Sequence, residues 1–370
     1  MARTEGDRCP GVLAVHQAAD GGLARVRLPG GRLTAAQVDV LRVAAAELGD
    51  GRLELTSRAN VQLRGLDADG PQELSDRLYA AGLLPSIAHE RVRNIMASPL
   101  SGLDRESRYD VMPVAAALDE ALCDRPELAE LPGRFLFALD DGRGDLAELR
   151  ADVAVRALDE RTALMSLGDR GVRVDWATVP ELMVAAAGAF LQVREQEWRV
   201  AEVAGGSGRI LERLGLQATE VVPLETTRVV AGVHGTALVV TVPLGSLTQQ
   251  QAAALGQAEV RLTPWRSVVV PSSTRGLEDV GLVTTPDSVW EGVTACAGKP
   301  GCAKALADVR ADATHLLADV GGLVLADVRG LGRGRRVHWS GCERRCGKPA
   351  GEFVDVVAVG DGYLVDGERL

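Results

Sequence analysis

The chain has 370 residues, of which 46% are hydrophobic and 25% are charged, so it is too apolar for a disordered protein and suits two or three packed units. An aromatic content of 3% and a formal net charge of −10 argue against binding to nucleic acid. Residues 1–10 carry four charged side chains and no apolar core, which predicts no secretory signal and a cytoplasmic protein.

Residues 229–258 form a long segment without Asp, Glu, Lys or Arg. Its length would suffice to cross a bilayer. However, Pro243, Gly245 and the glutamines at 249–251 divide it into a strand, a turn and the start of a helix. We therefore predict no membrane span.

Two segments, 23–65 and 237–272, repeat one order of elements. Each has a strand that ends in a turn containing Pro and Gly, then Leu-Thr, a helix, and a strand that closes with Leu-Thr. Thr34 and Thr248 are the predicted N-caps, and each has Gln three residues later, as in a capping box. The alternative is chance recurrence, but the shared turn, cap and closing pair favour two halves of a pseudo-symmetric α+β unit.

Further elements are predicted outside these two segments. The helices are expected at 74–83, 118–131, 179–203 and 303–320. The strands are expected within 87–99, at 135–139, at 152–158 paired with 162–167, at 337–339 and within 353–364.

Four of the six cysteines form two close pairs. Cys296 and Cys302 are separated by five residues, and Cys342 and Cys346 by three. Structural zinc sites favour about two to four residues between ligands, whereas the larger iron-sulfur cubane tolerates a wider loop. A helix predicted from Ala303 would also point its N–H groups at such a cluster. We therefore predict four cluster ligands, with zinc ligation and structural thiols as the alternatives.

The three lysines of the chain, Lys299, Lys304 and Lys348, all lie within three residues of one of these cysteines. A compact ammonium group suits a position beside an anionic cluster or ligand, so Lys299 is a candidate binding residue. Coincidence among so few lysines is the alternative. Cys9 and Cys123 stand alone and are predicted to be packing residues.

The two cysteine motifs behind two half-repeats resemble the sulfite and nitrite reductase family, in which such cysteines hold a [4Fe-4S] cluster beside a sirohaem. Matching segments are 25–31, 55–62 and 93–94. The resemblance implies an α+β, pseudo-two-fold fold with ferredoxin-like half-repeats and a mixed α/β cluster-binding domain. The implied domains are the first ferredoxin-like half, 1–70; a first reductase-like α/β domain, 71–215; the second half, 216–283; and the cluster-binding domain, 284–370.

Departures from the reductases indicate one branch of this family. Arg134 is kept, but Leu136 stands where the reductases place the second of two cations that hold sulfite, and each lost charge-assisted bond costs about 1.5–3 kcal/mol. The string Thr-Pro-Trp-Arg at 263–266 replaces an Asn-Gln pair. Together with 93–99 and 9–11, these residues resemble the precorrin-3B synthases of the aerobic cobalamin pathway. That branch implies an iron-sulfur monooxygenase that hydroxylates precorrin-3A at C20 and closes a γ-lactone.

A tetrapyrrole substrate with several carboxylates requires several guanidinium groups. Arg25 and Arg27 are expected on one face of the first strand, because side chains two apart share a side. Arg64, Arg91 and Arg266 are further arginines near matched segments. By the family match, the candidate substrate residues are Arg25, Arg27, Arg58, Asn60, Gln62, Arg93, Asn94 and Arg134, with Lys299 from the cysteine loop.

The resemblance also implies molecular oxygen as a second substrate and an external reductase as electron donor. The residues that would activate oxygen are not identified. An additional non-haem iron would need two histidines and a carboxylate on one face, and His89 and His338 lie nearest the matched motifs. The alternatives are a small sirohaem-dependent sulfite or nitrite reductase and a tetrapyrrole carrier without catalytic activity.

Overall fold

The computed structural model describes residues 9–221, 226–319, 335–349 and 351–369. The charged stretch before Cys9 and the end of the predicted helix at Val320 lie outside these residues. The chain divides into two compact units: unit one draws on Met1–Gly11, Val26–Arg32 and Gly82–Val229, and unit two on Val12–Arg25, Leu33–Ala81 and Val230–Leu370. Both predicted half-repeats and the cysteine region thus fall mainly in unit two, while the four-domain division stays a prediction.

The described residues form strands and helices in mixed order, as expected for an α+β protein. The strands are β1 (His16–Ala18), β2 (Gly21–Val26), β3 (Arg32–Leu33), β4 (Leu53–Leu55), β5 (Val61–Leu66), β6 (Ile95–Ala97), β7 (Phe137–Asp140), β8 (Val153–Ala157), β9 (Thr162–Leu167), β10 (Arg170–Asp175), β11 (Thr219–Glu220), β12 (Gly232–His234), β13 (Ala237–Thr241), β14 (Ser246–Leu247), β15 (Val260–Leu262), β16 (Ser267–Pro271), β17 (Val293–Ala295), β18 (Val337–Ser340), β19 (Val354–Val359), β20 (Gly362–Val365) and β21 (Glu368–Arg369). The helices are α1 (Ala35–Leu48), α2 (Gly70–Ala80), α3 (Met112–Cys123), α4 (Val179–Val193), α5 (Gly206–Arg213), α6 (Gln249–Leu255) and α7 (Val309–Asp319).

The predicted internal repeat is present. One sheet has the order β1-β2-β5-β4 with β14 at its edge, and another has the order β12-β13-β16-β15 with β3 at its edge. The second half therefore contributes β14 to the sheet of the first, and the first half contributes β3 to the sheet of the second. The equivalent helices α1 and α6 pack together, and both begin with the predicted capping boxes at Thr34 and Thr248.

The two halves also share a turn after β4 and β15. In the first, the backbone N–H groups of Arg58 and Asn60 donate to Thr56 Oγ1 at 3.3 and 3.1 Å. In the second, residues 265 and 267 donate in the same way to Thr263 Oγ1 at 3.2 and 3.1 Å. The fourth residue of each turn is left-handed, with φ of 54° at Ala59 and 62° at Arg266. The Leu-Thr pair in the sequence thus marks a specific hydrogen-bonded turn.

Unit two also contains the sheet β17-β18-β19-β20-β21. Strands β17, β18 and β19 are parallel, and β19 to β21 continue as antiparallel hairpins. Trp339, Val354 and Val356 pack with Val309 and Ala313 of α7 in the core of this region. The predicted strand within 353–364 is therefore a hairpin of β19 and β20.

Unit one contains the sheet β11-β10-β9-β8-β7-β6, covered by α3 and α4. Its core includes Phe135, Phe137 and Phe190, which are fully buried. An 18-residue window, Trp176–Val193, is long and apolar enough to cross a membrane, and half of it is buried inside the structure. The predicted pairing of 152–158 with 162–167 is confirmed as the antiparallel pair β8 and β9.

Several predicted helix bounds were wrong for local reasons. Helix α3 begins at Met112 because Pro113 fits its first turn, and it ends before Pro126. Helix α4 ends at Val193 because the Glu197 carboxylate accepts the N–H groups of the two preceding residues, at 2.7 and 3.0 Å. Strand β10 and helix α5 were not predicted.

A buried acidic group lies after β7 in unit one. One carboxylate oxygen each from Asp140, Asp141 and Asp145 lies within 4.8 Å of the others. Arg143 is the adjacent cation, and its Nη2 contacts Asp104 and Asp141 at 2.8 Å each. Burial, followed by the charge of Asp140, raises the pKa of Asp145 to about 8.

We predict that Asp145→Asn stabilises the protein increasingly from pH 5 to pH 8. Because the folded pKa lies above the ordinary value, the contribution of Asp145 is fully present only below that ordinary value and is lost as pH rises toward 8. Each pH unit in this interval costs up to about 1.4 kcal/mol. Urea unfolding at several pH values measures the effect; an equal pH slope in the variant and the wild type would contradict it.

The threonine hydroxyls of the two shared turns are predicted to stabilise the fold. Thr56→Val and Thr263→Val should each lower the free energy of unfolding by about 1–3 kcal/mol, because two backbone N–H groups lose their acceptor. Thr314→Val on α7 is the control, since Thr314 is exposed and donates only to Arg310 O. Equal stability of all three variants in urea unfolding would refute the role of these hydroxyls.

Candidate metal centre

The two cysteine pairs follow neighbouring parallel strands. Strand β17 leads into Cys296, and β18 leads into Cys342 after one glycine. Residue 293 pairs with 337 and residue 295 with 339, so both loops leave the same end of the sheet. The N–H of Cys296 donates to Trp339 O at 2.9 Å, which extends this pairing to the first cysteine.

The four thiols lie close enough to affect each other's charge. Burial raises the pKa of Cys346, and Arg344 opposes this rise, while the charges of Cys296, Cys342 and Cys302 add to it. Within the described part of the chain, no three of these sulfurs lie within 4.8 Å of one another.

Glycines hold the two loops tightly together. The N–H of Gly341 donates to Cys296 Sγ at 3.1 Å. A Cβ atom on Gly341 would lie 2.8 Å from the Cβ of Ala305, and one on Gly298 would lie 2.9 Å from Val309. Gly298 is also left-handed, with φ of 65°. These positions accept glycine alone without movement of the backbone around the sulfurs.

Three side chains fix backbone carbonyls of the loops. Arg310 Nε donates to Cys296 O at 3.1 Å. Arg266 Nη2 donates to Gly347 O at 2.6 Å. His338 Nε2 lies 3.1 Å from Cys346 O. Each loop is therefore held from outside itself.

His338 has one consistent tautomer. Since the carbonyl of Cys346 only accepts, Nε2 carries the proton. Nδ1 lies 2.9 Å from Thr294 Oγ1, whose hydroxyl also donates to Val337 O at 3.2 Å. Burial, with the charge of Arg266, lowers the pKa of His338 to about 3. The imidazole is thus neutral at physiological pH and acts as a bridge between β17 and the second cysteine loop.

A buried ion pair connects this region to the first half-repeat. Arg310 contacts both oxygens of Glu54 on β4, at 2.6 and 2.5 Å. Glu54 also accepts from Ser246 Oγ at 2.7 Å, and Ser246 accepts from Arg52 at 2.7 Å. Burial alone would raise the pKa of Glu54, but Arg310 outweighs it and the net shift is downward.

The helix predicted from Ala303 is wrong, because α7 begins at Val309. Before it, the N–H of Leu306 donates to Gly341 O at 2.7 Å, which withdraws that group from any helix. The carboxylate of Asp308 accepts from Ala311 N at 3.1 Å and caps α7. The N–H donor to a cysteine sulfur comes from Gly341 instead.

Of the predicted substrate residues in unit two, most surround the turn after β4. Arg58 is half-buried, Asn60 is buried at 1% exposure, and Gln62 lies half-buried on β5 opposite Glu54. Arg25 is half-buried near the end of β2. Lys299 is exposed in the first cysteine loop, as are Lys304 and Lys348 nearby.

In unit one, Arg27 and Asn94 are joined. Arg27 Nε donates to Asn94 Oδ1 at 3.1 Å, and its Nη1 donates to Pro10 O at 2.7 Å. Strand β2 ends at Val26, so the prediction that Arg25 and Arg27 share one strand face was wrong. Arg93 donates two hydrogen bonds to the carboxylate of Asp119, from Nε at 2.7 Å and from Nη2 at 2.6 Å. The residue is 4% exposed, which favours a structural role.

Arg134 and Leu136, the pair predicted to differ from the two cations of the reductases, also lie in unit one. Arg134 is exposed, with its guanidinium 5.1 Å from the ring centre of Trp198. Leu136 is 4% exposed, and its N–H donates to Asp152 Oδ2 at 2.9 Å. Two residues after the cation Arg134, the chain thus has a buried, apolar side chain, Leu136.

The histidines do not fit an additional iron site. His89 is buried and bonded through Nδ1 to Ser86 Oγ and through Nε2 to Arg125 O, at 2.8 and 3.0 Å. Both nitrogens of His338 are likewise engaged by protein. Among the described residues, Asp140, Asp141 and Asp145 form the one close group of three potential ligands, and it contains no histidine.

Sequence reasoning missed Glu54 and Arg310. Glu54 alternates with leucines on β4 and therefore looked like a solvent-facing residue, and Arg310 carried no motif. The Thr-Pro-Trp-Arg string points to Arg266 but does not predict that it is buried.

We predict that Glu54→Gln lowers the free energy of unfolding by about 3–5 kcal/mol, because it leaves Arg310, whose side chain is 22% exposed, without its counter-charge. Since folding depresses the pKa of Glu54, its contribution is present above the ordinary value and is lost as pH falls through the folded one. The difference between wild type and variant should therefore shrink toward pH 3 in urea unfolding. A constant difference would contradict this origin.

Comparison with known proteins gives concordant results. Residues 16–81 match the family described as the nitrite/sulfite reductase ferredoxin-like half domain. The chain is 27% identical over 414 residues to a ferredoxin–nitrite reductase of Synechococcus elongatus, covering 93% of this chain and 78% of the relative. It is also 27% identical over 384 residues to a precorrin-3B synthase of Sinorhizobium sp., covering 96% and 81%.

Among solved structures, the NirA protein of Mycobacterium tuberculosis has the same fold, with a TM-score of 0.74 at 20% identity over 93% of this chain and 74% of that one. The predicted pseudo-two-fold α+β fold with ferredoxin-like halves is thereby confirmed. The relatives are oxidoreductases that differ in reaction, at equal identity. The chain is thus similar to sulfite and nitrite reductases and to a precorrin-3B synthase, and these similarities do not distinguish among them.

Proposed function

We propose that the protein is a precorrin-3B synthase, an iron-sulfur monooxygenase of cobalamin biosynthesis. In this reaction one atom of molecular oxygen becomes the hydroxyl at C20 of precorrin-3A. The other atom leaves as water with two electrons and two protons from outside. The ring A acetate loses its proton as it closes the γ-lactone onto C1.

The observation that carries this proposal is the loss of a cation after Arg134. Leu136 is buried and apolar, so the position that holds an anion in the reductases offers no charge here. A small anion such as sulfite would lose a charge-assisted bond worth about 1.5–3 kcal/mol.

We assign Cys296, Cys302, Cys342 and Cys346 as the ligands of a [4Fe-4S] cluster. Their mutual charge effects and the close-fitting glycines suit that donor set. When bound, the cluster would supply electrons one at a time. The chain's own contribution is to fix the loops, through Gly341 on a ligand sulfur and Arg310, Arg266 and His338 on the loop carbonyls.

For the tetrapyrrole carboxylates, Arg25 and Arg58 of unit two are the preferred ligands, and both are half-buried. Arg134 of unit one, which is exposed, is a separate candidate. Asn60 and Gln62 stay polar candidates beside Arg58. Arg27 and Asn94 form one hydrogen-bonded pair, and the guanidinium of Arg93 pairs with Asp119.

An external electron-donating reductase would dock near the cysteine loops. Lys299, Lys304, Arg344 and Lys348 are exposed there, on a chain whose net charge is −10. Local positive charge on an acidic protein favours an acidic partner. The proposal includes a cytoplasmic location and no nucleic-acid or membrane partner.

The second candidate is a small sirohaem-dependent sulfite or nitrite reductase. The 27% identity to a ferredoxin–nitrite reductase favours it as much as identity favours the synthase. In that case the same cysteine cluster would adjoin sirohaem. We give it second place because of Leu136.

Replacing any of the four cysteines by serine should remove most of the iron from anaerobically purified protein, because each thiolate would hold one corner of the cluster. The matched control is Cys123→Ser: burial, then the charge of Asp119, raises the pKa of Cys123 to about 11, so it is a poor ligand. Iron and acid-labile sulfide assays with EPR measure the effect. Full iron content in a serine variant would refute that ligand.

Turnover separates the two candidate reactions. Reduced protein should consume oxygen only with precorrin-3A and should leave sulfite and nitrite unreduced, without sirohaem absorption. Reduction of either anion by a sirohaem-containing protein would establish the second candidate. A tetrapyrrole that binds without oxygen uptake would indicate a carrier.

A further inference from the structure

Arg266 is a buried cation, and no carboxylate of the described residues forms an ion pair with it. Its side chain belongs to a residue 7% exposed, and its one hydrogen bond is from Nη2 to Gly347 O, at 2.6 Å. Other arginines of unit two that reach the same region are neutralised: Arg310 pairs with Glu54, and Arg64 pairs with Asp20. Burying an isolated guanidinium is costly, so the fold places a positive charge there at the expense of stability.

The surrounding backbone leaves room for this side chain along its length. Arg266 is left-handed, with φ of 62°. A Cβ atom on Gly245 would lie 2.3 Å from Arg266 Cδ, and one on Gly347 would lie 2.7 Å from its Nη2. Both glycines are also left-handed, with φ of 72° and 79°. The side chain of Arg266 therefore passes against these two glycines on its way from the turn after β15 to the second cysteine loop.

The internal repeat shows that this arginine is specific to one half. The turn after β4 has the same hydrogen bonds to the threonine hydroxyl, from the N–H groups of Arg58 and Asn60. Its equivalent left-handed residue is Ala59. The turn geometry thus requires no arginine. What differs is the neighbour, because Arg266 reaches the loop that carries Cys342 and Cys346.

The charge of Arg266 persists at neutral pH. Burial lowers its pKa to about 10, while the negative charges of Glu54 and Cys296 favour the charged form and Arg310 opposes it. Since Arg310 already neutralises Glu54 through two short contacts, the cysteine site is the nearby place where Arg266 can meet an unpaired anion.

We propose that Arg266 is the counter-charge of the cluster: it holds the second cysteine loop and stabilises the reduced cluster. This inference rests on the proposed function, because it needs a cluster on the four cysteines. Four thiolates around an iron-sulfur core carry net negative charge, and uptake of one electron from the external reductase adds one more. A fixed cation favours that uptake and raises the reduction potential.

The test compares Arg266→Gln and Arg266→Lys with wild type and with the control Arg77→Gln. Arg77 is on α2, paired at the surface with Glu47 and Glu73. Each protein is reconstituted anaerobically without tetrapyrrole, and the cluster is titrated potentiometrically with EPR detection. Arg266→Gln should shift the reduction equilibrium at least tenfold toward the oxidised form, which is about 59 mV for one electron. The Lys variant and the control should stay within threefold of wild type.

An unchanged potential in Arg266→Gln would overturn the inference, even with an intact cluster. If the Gln variant loses iron while the Lys variant keeps it, the requirement for a cation is supported. If both lose iron, the shape of the side chain matters rather than its charge, and the inference fails. A wild-type protein that assembles no four-iron cluster would instead refute the proposed function itself.

Discussion

The parallel pairing of β17 with β18 is the constraint on which the candidate site depends. It delivers two loops, separated by 39 residues in the sequence, to one end of a sheet. Backbone contacts then bring the loops together, through Gly341 on Cys296 and Leu306 on Gly341. Because these contacts use main-chain groups, the approach of the four thiols depends on the fold and on glycine rather than on long side chains.

The side chains that hold carbonyls of the two cysteine loops differ in how their charge is balanced. Glu54 and Arg310 cancel each other while they connect the first half-repeat to the carbonyl of Cys296. His338 is neutral and bridges strand and loop. Arg266 alone among these groups keeps an unmatched charge within the described structure. Residues of both half-repeats thus contact the cysteine loops, whereas the unmatched charge comes from one residue of the second turn, Arg266.

Local sequence signals predicted the half-repeats well, since capping boxes and Leu-Thr turns depend on contacts within a few residues. Prediction failed where distant groups compete for the backbone. Helix α7 begins late because Gly341 takes the N–H of Leu306, and no periodicity can reveal such a contact. Arg93 has a distant contact of the same kind: its guanidinium pairs with Asp119, 26 residues away, and no local motif reveals this.

The central claim is that Cys296, Cys302, Cys342 and Cys346 jointly hold one four-iron cubane. Anomalous diffraction at the iron edge, from crystals grown anaerobically, tests this most directly. We predict a compact peak of four irons bonded to those four sulfurs. A single metal ion, an absence of anomalous signal, or iron bonded to other residues would contradict the account.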